Sequence, residues 1–136
     1  MNKSLNIALQ PGRYWIGDLC YVMHARWSEF CEHLDEAGEV LTMDGEEYWW
    51  HHTAFGDGTY DYDLHNLPDG LGVSGGFGVD AGLIGIIPAA LVGKDLDDDP
   101  KLGMWLEFKK PVHCSYLNGT FVFNDGDIGV QIYTKD

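Results

Sequence analysis

Two dipeptides constrain this chain most, Asp44-Gly45 and Asn118-Gly119. The first separates Val40–Met43 from Glu47–Thr53, and the second separates Val112–Leu117 from Thr120–Phe123, all segments rich in apolar and β-branched residues. A two-residue type I′ turn demands positive φ at both central positions, and Asp or Asn followed by Gly meets that demand with little strain. Both places are therefore expected to be β-hairpins. Asp125-Gly126 then leads into Ile128–Tyr133, where Ile128, Val130 and Ile132 alternate with Gly129 and Gln131. Together with Met104–Phe108, this predicts an antiparallel meander of about four strands at the C-terminal end. The 18 glycines are spread along the 136 residues rather than clustered, as a fold with many tight turns requires.

The rest of the chain adds little helix. Residues 12–23 read as two short strands around Gly17-Asp18, and Leu83–Ile87 reads as a buried strand. Trp27, Phe30, Cys31 and Leu34 fall at i, i+3, i+4 and i+7, the apolar face of an amphipathic helix over about 26–37, with Gly38 placed to end it. Asp35 and Glu36 oppose the dipole at its C-terminal end. Pro88 suits the first position of a short helix near 88–93, and Asp95–Pro100 reads as a charged connector. Phe55 to Gly85 is glycine-rich and harder to read. A hydrophobic fraction of 45% in 136 residues is enough for one core. The expected fold class is α+β, predominantly antiparallel β, as a sandwich or open barrel, in a single domain spanning 1–136.

Charge is distributed unevenly. The net charge is −14, and between Arg26 and Lys94 there is no lysine or arginine, whereas thirteen carboxylates fall in that interval. An acid-rich helix and the hairpin after it supply Glu29, Glu32, Asp35, Glu36, Glu39, Asp44, Glu46 and Glu47 as a candidate stripe for a basic protein partner. Direct binding to nucleic acid or to an anionic membrane is not expected, because both need clustered Lys and Arg. No segment reaches the ~20 apolar residues of a membrane span. Three widely spaced cysteines and no signal-like leader point to a reducing, cytoplasmic setting.

Motifs for chemistry are sparse. Asp57, Asp61, Asp63 and His65 lie close in sequence, with His51 and His52 upstream, but the calcium-loop pattern fails: counted from Asp61, the sixth position is Asn66 and the twelfth Gly72. No C-x-x-C or H-x-x-x-H pair is present for zinc, so the expectation is a solvated acidic turn with no metal and no cofactor. Gly76-Phe77-Gly78-Val79-Asp80-Ala81 matches the permissive dinucleotide pattern, yet no βαβ unit surrounds it. Cys20 follows a turn and is a candidate thiol, against the more common core role. Strand alternation places Trp49 and Trp50 on opposite sheet faces. Either one is a surface platform for a ligand, or both faces are covered, one by the helix and one by a second sheet.

Three stretches stand together: Gly12-Arg13-Tyr14-Trp15-Ile16-Gly17-Asp18-Leu19-Cys20-Tyr21-Val22, Thr53-Ala54-Phe55-Gly56-Asp57-Gly58-Thr59-Tyr60, and Val79-Asp80-Ala81-Gly82-Leu83-Ile84-Gly85-Ile86-Ile87-Pro88. As a set they resemble a family of small uncharacterised proteins of bacteria and their phages, with a G-x-Y-x-I-G-D-x-C-Y-V opening and later G-D-G-x-Y and V-D-A-G motifs. Leu19 stands where that pattern has proline. The resemblance implies that Asp18, Cys20, Asp57, Gly58, Asp80 and Gly82 gather around one feature. Two functional expectations follow. The first is an acidic binding protein, in its sharper form a nucleic-acid mimic or defence modulator. The second is a small-molecule or metal-dependent site built on Asp18, Cys20, Asp57 and Asp80.

Overall fold

Asp44, Gly45, Asn118 and Gly119 all have positive φ, at 53°, 79°, 50° and 87°, so both hairpin turns adopt the backbone that their residues favour. The computed structural model describes residues 7–23, 27–65, 74–92 and 103–135. Arg26, Asp69 and the connector Asp95–Pro100 lie outside the described residues. Within them run the strands β1 (Ile7–Leu9), β2 (Gly12–Gly17), β3 (Val40–Met43), β4 (Glu46–His52), β5 (Gly58–His65) and β6 (Ser74–Val79). They continue as β7 (Leu83–Pro88), β8 (Gly103–Phe108), β9 (Val112–Leu117), β10 (Thr120–Asn124) and β11 (Gly129–Tyr133), with one short α-helix, α1 (Trp27–Cys31).

The strands form two open antiparallel sheets, a sandwich rather than a barrel. One has six strands in the order β1-β9-β10-β11-β5-β6, the other five in the order β3-β4-β7-β2-β8. Ile16, Trp49, Ile86, Phe121, Phe123 and Ile132 fill the space between them, all without exposed surface. Fully burying side chains of this kind contributes about 1.5–3 kcal/mol each. The other face of the five-stranded sheet is covered too: Leu19, Phe30, Leu41, Met43, Tyr48 and Trp50 form a second apolar cluster there. A sheet covered on both faces explains why β7 reads as the continuous run Leu83–Ile87 rather than as an alternation. Trp49 faces the six-stranded sheet and Trp50 faces α1, where Phe30 meets it edge-on at 5.2 Å. Neither indole is exposed, so neither is a ligand platform.

Three expectations are corrected. Among the described residues the helix covers Trp27–Cys31, and residues 32–39 continue as tight turns, with Glu32, His33, Glu36 and Glu39 each donating a backbone N–H to the carbonyl three residues earlier. Asp35 and Glu36 disfavour a longer helix, and Gly38, at φ 83°, sends its N–H to Trp50 O, drawing the chain down onto β4. Leu19–Tyr21 is a 3-10 turn rather than a second strand. Gly103–Phe108 does not join the C-terminal meander: β8 pairs with β2, and the chain crosses between sheets through Lys109–Pro111. The meander of β9, β10 and β11 is extended instead by β5 and β1. Pro88 caps a 3-10 turn at Ala89–Leu91, the short helical element expected there.

Candidate functional site

Asp18 ends β2 with an extended backbone and starts the 3-10 turn, accepting the Cys20 N–H at 2.9 Å on one carboxylate oxygen. Its other oxygen reaches across the fold and accepts the N–H groups of Asp80 at 2.8 Å and Ala81 at 2.5 Å. These two residues make the bend between β6 and β7. Asp18 is enclosed, and burial pushes its carboxyl above the ordinary range while the three N–H groups pull it back.

The β4–β5 loop closes on the same bend. Thr53 N donates to Gly82 O at 3.0 Å, and Thr53 Oγ1 donates to Gly56 O at 2.6 Å. A Cβ placed on Gly82 would lie 3.6 Å from Asp57 Oδ1, so the Asp57 carboxylate sits directly over that bend. Cys20 lies among these groups: burial raises its thiol pKa, and Asp18, Asp80 and Asp57 raise it further. Asp18, Cys20, Asp57 and Asp80 therefore do come together, although three separate chain segments supply them. Leu19, which stands where the resembled pattern has proline, also packs here. The Leu19 side chain covers Gly85, where an added Cβ would lie 2.8 Å from its Cγ.

The chemistry open to this cluster is narrow. Both Asp18 oxygens are occupied by peptide N–H groups, which makes Asp18 a brace between segments rather than a free base. A reactive cysteine needs an electropositive setting that lowers its pKa, and Cys20 has the reverse. Cys114 is buried in the inter-sheet core, and burial pushes its thiol up as well.

The nearby histidines and acids diverge. His51 points between the sheets and stacks on Tyr116 at 3.8 Å, and burial lowers its pKa; His52 lies on the opposite face of β4, edge-on to Trp50 at 4.8 Å. Asp61 and Asp63 alternate onto the outer face of β5, strung along an extended strand rather than wrapped around a centre. Among the described residues no group of three or more His, Cys, Asp or Glu side chains has an arrangement that could hold a metal.

The acids of the candidate stripe are mostly solvent-facing. Glu29, Glu32, Asp35, Glu39, Asp44, Glu46 and Glu47 are exposed and Glu36 is half-buried, its carboxylate hydrogen-bonded to His33. After burial, Glu29 and then Glu36 raise the Tyr48 hydroxyl to about 12, which places both carboxylates near that ring. Glu46 lies two residues from Tyr48 on the same face of β4. Acids of the helix and of the hairpin thus share the helix-covered side of the five-stranded sheet. Glu47 alternates to the other face.

Residues that carry no sequence motif also matter. Asp125, read only as part of a turn, accepts the N–H groups of Asp127 and Ile128, each at 2.9 Å, and of Lys109 at 3.0 Å. It braces the crossover between the two sheets. Phe55 stands in solvent on the β4–β5 loop, which lacked a readable period. Compared with known proteins, the chain matches no family model, no curated protein and no solved structure.

Proposed function

We propose that this protein is a small acidic cytoplasmic binding protein that engages a basic macromolecular partner. The observation that carries this reading is the run of exposed carboxylates from Glu29 to Glu47 in a segment that holds no lysine or arginine, with Glu29 and Glu36 both acting on the Tyr48 hydroxyl. Carboxylates so grouped give a potential that steers a cationic surface toward them and weakens with salt. In its sharper form the stripe imitates a nucleic-acid backbone and occupies the phosphate-binding groove of a DNA-processing or defence protein. The alternative, a small-molecule or enzymatic site at Asp18, Cys20, Asp57 and Asp80, draws on their convergence. It is weakened by the engagement of both Asp18 oxygens and by the raised thiol pKa of Cys20.

The test is affinity capture from a bacterial lysate at low and high salt, using the protein and a Glu29→Gln, Glu32→Gln, Glu46→Gln, Glu47→Gln variant. Capture of nucleic-acid-binding proteins at low salt, displaced by added duplex DNA and lost in the variant, is the expected result. Capture of none of them by the unaltered protein at low salt would sink the mimic.

A further inference from the structure

Phe55 is 63% exposed, although the backbone that carries it is tied down on several sides. Thr53 N donates to Gly82 O at 3.0 Å, Thr53 Oγ1 to Gly56 O at 2.6 Å, and the Tyr60 hydroxyl to Gly56 O at 2.7 Å. Ala54 N donates to Thr134 Oγ1 at 3.1 Å, which fastens the loop to the end of β11. A loop held this way keeps its aromatic ring in water instead of folding it inward.

Two more large apolar side chains are exposed at the same junction. The Ala54 Cβ lies 3.1 Å from where a Cβ on Gly119 would stand, and Gly119 O accepts the Thr134 hydroxyl at 2.5 Å. Leu117, 60% exposed, precedes Gly119 by two residues, and Tyr133, 39% exposed, precedes Thr134 by one. In register, Leu117 and Tyr133 flank Thr120 on either side, on the outward face of the six-stranded sheet. Carboxylates border this patch. Asp61 is opposite Tyr133, and Asp63 accepts the Tyr133 hydroxyl at 3.0 Å, both being exposed. Lys135 is the cation at the junction.

We infer that Phe55, Leu117 and Tyr133 form the apolar centre of a docking surface for a partner segment presenting a large apolar side chain flanked by lysines or arginines. Charge complementarity selects that occupant: among the described residues two carboxylates, Asp61 and Asp63, edge the patch beside Lys135, in a chain of net charge −14. The same net charge repels a second copy of the chain. Aromatic anchors within a polar rim are the usual anatomy of an interface that binds through a few residues, and a braced loop loses little freedom when it engages. The inference rests on the reading of a basic partner but places the anchor elsewhere. Glu46 opens the seven-residue β4 and the loop follows its far end, a span of about 23 Å at the usual rise per residue.

The experiment is an amide-shift titration of the isotopically labelled protein with three synthetic peptides: lysines around a central Leu-Phe, the same peptide with Gly-Gly at its centre, and a glutamate version of the first. The first peptide is expected to shift the amides around Phe55, Leu117 and Tyr133, and Phe55→Ser to weaken it at least about tenfold with no change in melting temperature. Equal affinity for the Gly-Gly peptide, or shifts confined to residues 29–47, overturns the anchor while leaving the basic-partner reading intact. Failure of both lysine peptides to bind, or preference for the glutamate peptide, overturns both. A self-association in sedimentation that Phe55→Ser abolishes would show that the patch serves a second copy instead.

Discussion

The carboxylate of Asp18 lies 2.8 Å from the backbone nitrogen of Asp80, a residue 62 positions further along the chain. One buried oxygen thereby fixes the bend between β6 and β7, while the other holds the start of the 3-10 turn. Asp18→Asn keeps the shape but turns one acceptor into a donor facing peptide N–H groups. Leaving buried donors unsatisfied costs about 1–3 kcal/mol apiece, so a loss on the order of 3 kcal/mol is expected. A urea titration reads it as a lower midpoint with an unchanged slope. An unchanged midpoint would mean that the brace carries no stability.

Asp125 performs the corresponding task at the crossover between sheets, with a different electrostatic balance. Burial alone would raise its carboxyl, but the N–H groups of Ile128, Asp127, Lys109 and Lys110 outweigh it and hold the pKa below the ordinary 3.8. With the folded pKa below the unfolded one, the unfolded chain binds protons first as pH falls. The stabilisation is complete above 3.8 and is lost as pH drops through the folded value. The stability gap between the protein and its Asp125→Asn variant is therefore expected to be constant near neutrality and to narrow below that pH. Denaturation curves collected from pH 7 down to about 2 would decide it, and a gap that widens on acidification would refute the assignment.

Cys20 is expected to be a slow nucleophile. Burial first, and then the negative charge of Asp18, Asp80 and Asp57, suppresses its thiolate. Iodoacetamide at about pH 8, the range in which a free thiol begins to ionise, should label Cys20 at least about tenfold more slowly in the folded protein than in urea. Asp57→Asn should raise the folded rate, because it removes one of the charges that oppose ionisation. Peptide mass spectrometry distinguishes Cys20 from Cys31 and Cys114. Faster labelling of Cys20 in the folded chain would revive a catalytic thiol.

Legibility of the fold in the sequence followed a physical division. Turns whose backbone depends on one or two residues, such as Asp44-Gly45 and Asn118-Gly119, were readable because the requirement is local. β7 was readable because a strand covered on both faces is apolar throughout. β5 and β6 were not. β6 carries Gly75, Gly76 and Gly78, which leave little pattern to read, and its place beside β5 depends on pairing between distant segments. Met104–Phe108 alternates like a meander strand, but which sheet it joins is decided by pairing with β2, a choice that alternation does not encode. The same limit applies to the site. The resemblance grouped Asp18, Cys20, Asp57 and Asp80, but only the fold reveals that the Asp18 oxygens are already engaged. Phe55 carried no signal at all, since a lone aromatic in a glycine-rich loop looks alike whether buried or displayed.

Leu19 stands where the resembled pattern has proline. Its side chain has no exposed surface and covers Gly85, and a Cβ there would come within 2.8 Å of it. Gly85→Ala forces Leu19 off its position, and overpacking of this kind costs about 1–3 kcal/mol. Leu19→Ala leaves a cavity in the layer over the five-stranded sheet and costs about 2–5 kcal/mol. If the two residues occupy one space, the double variant is destabilised by less than the sum, with a coupling of about 0.5–3 kcal/mol. Strict additivity in a double-mutant cycle would mean that Leu19 and Gly85 do not share the contact. A coupling of the expected sign would show that the leucine and the glycine are fitted to each other, so that proline at position 19 would leave β7 uncovered at Gly85.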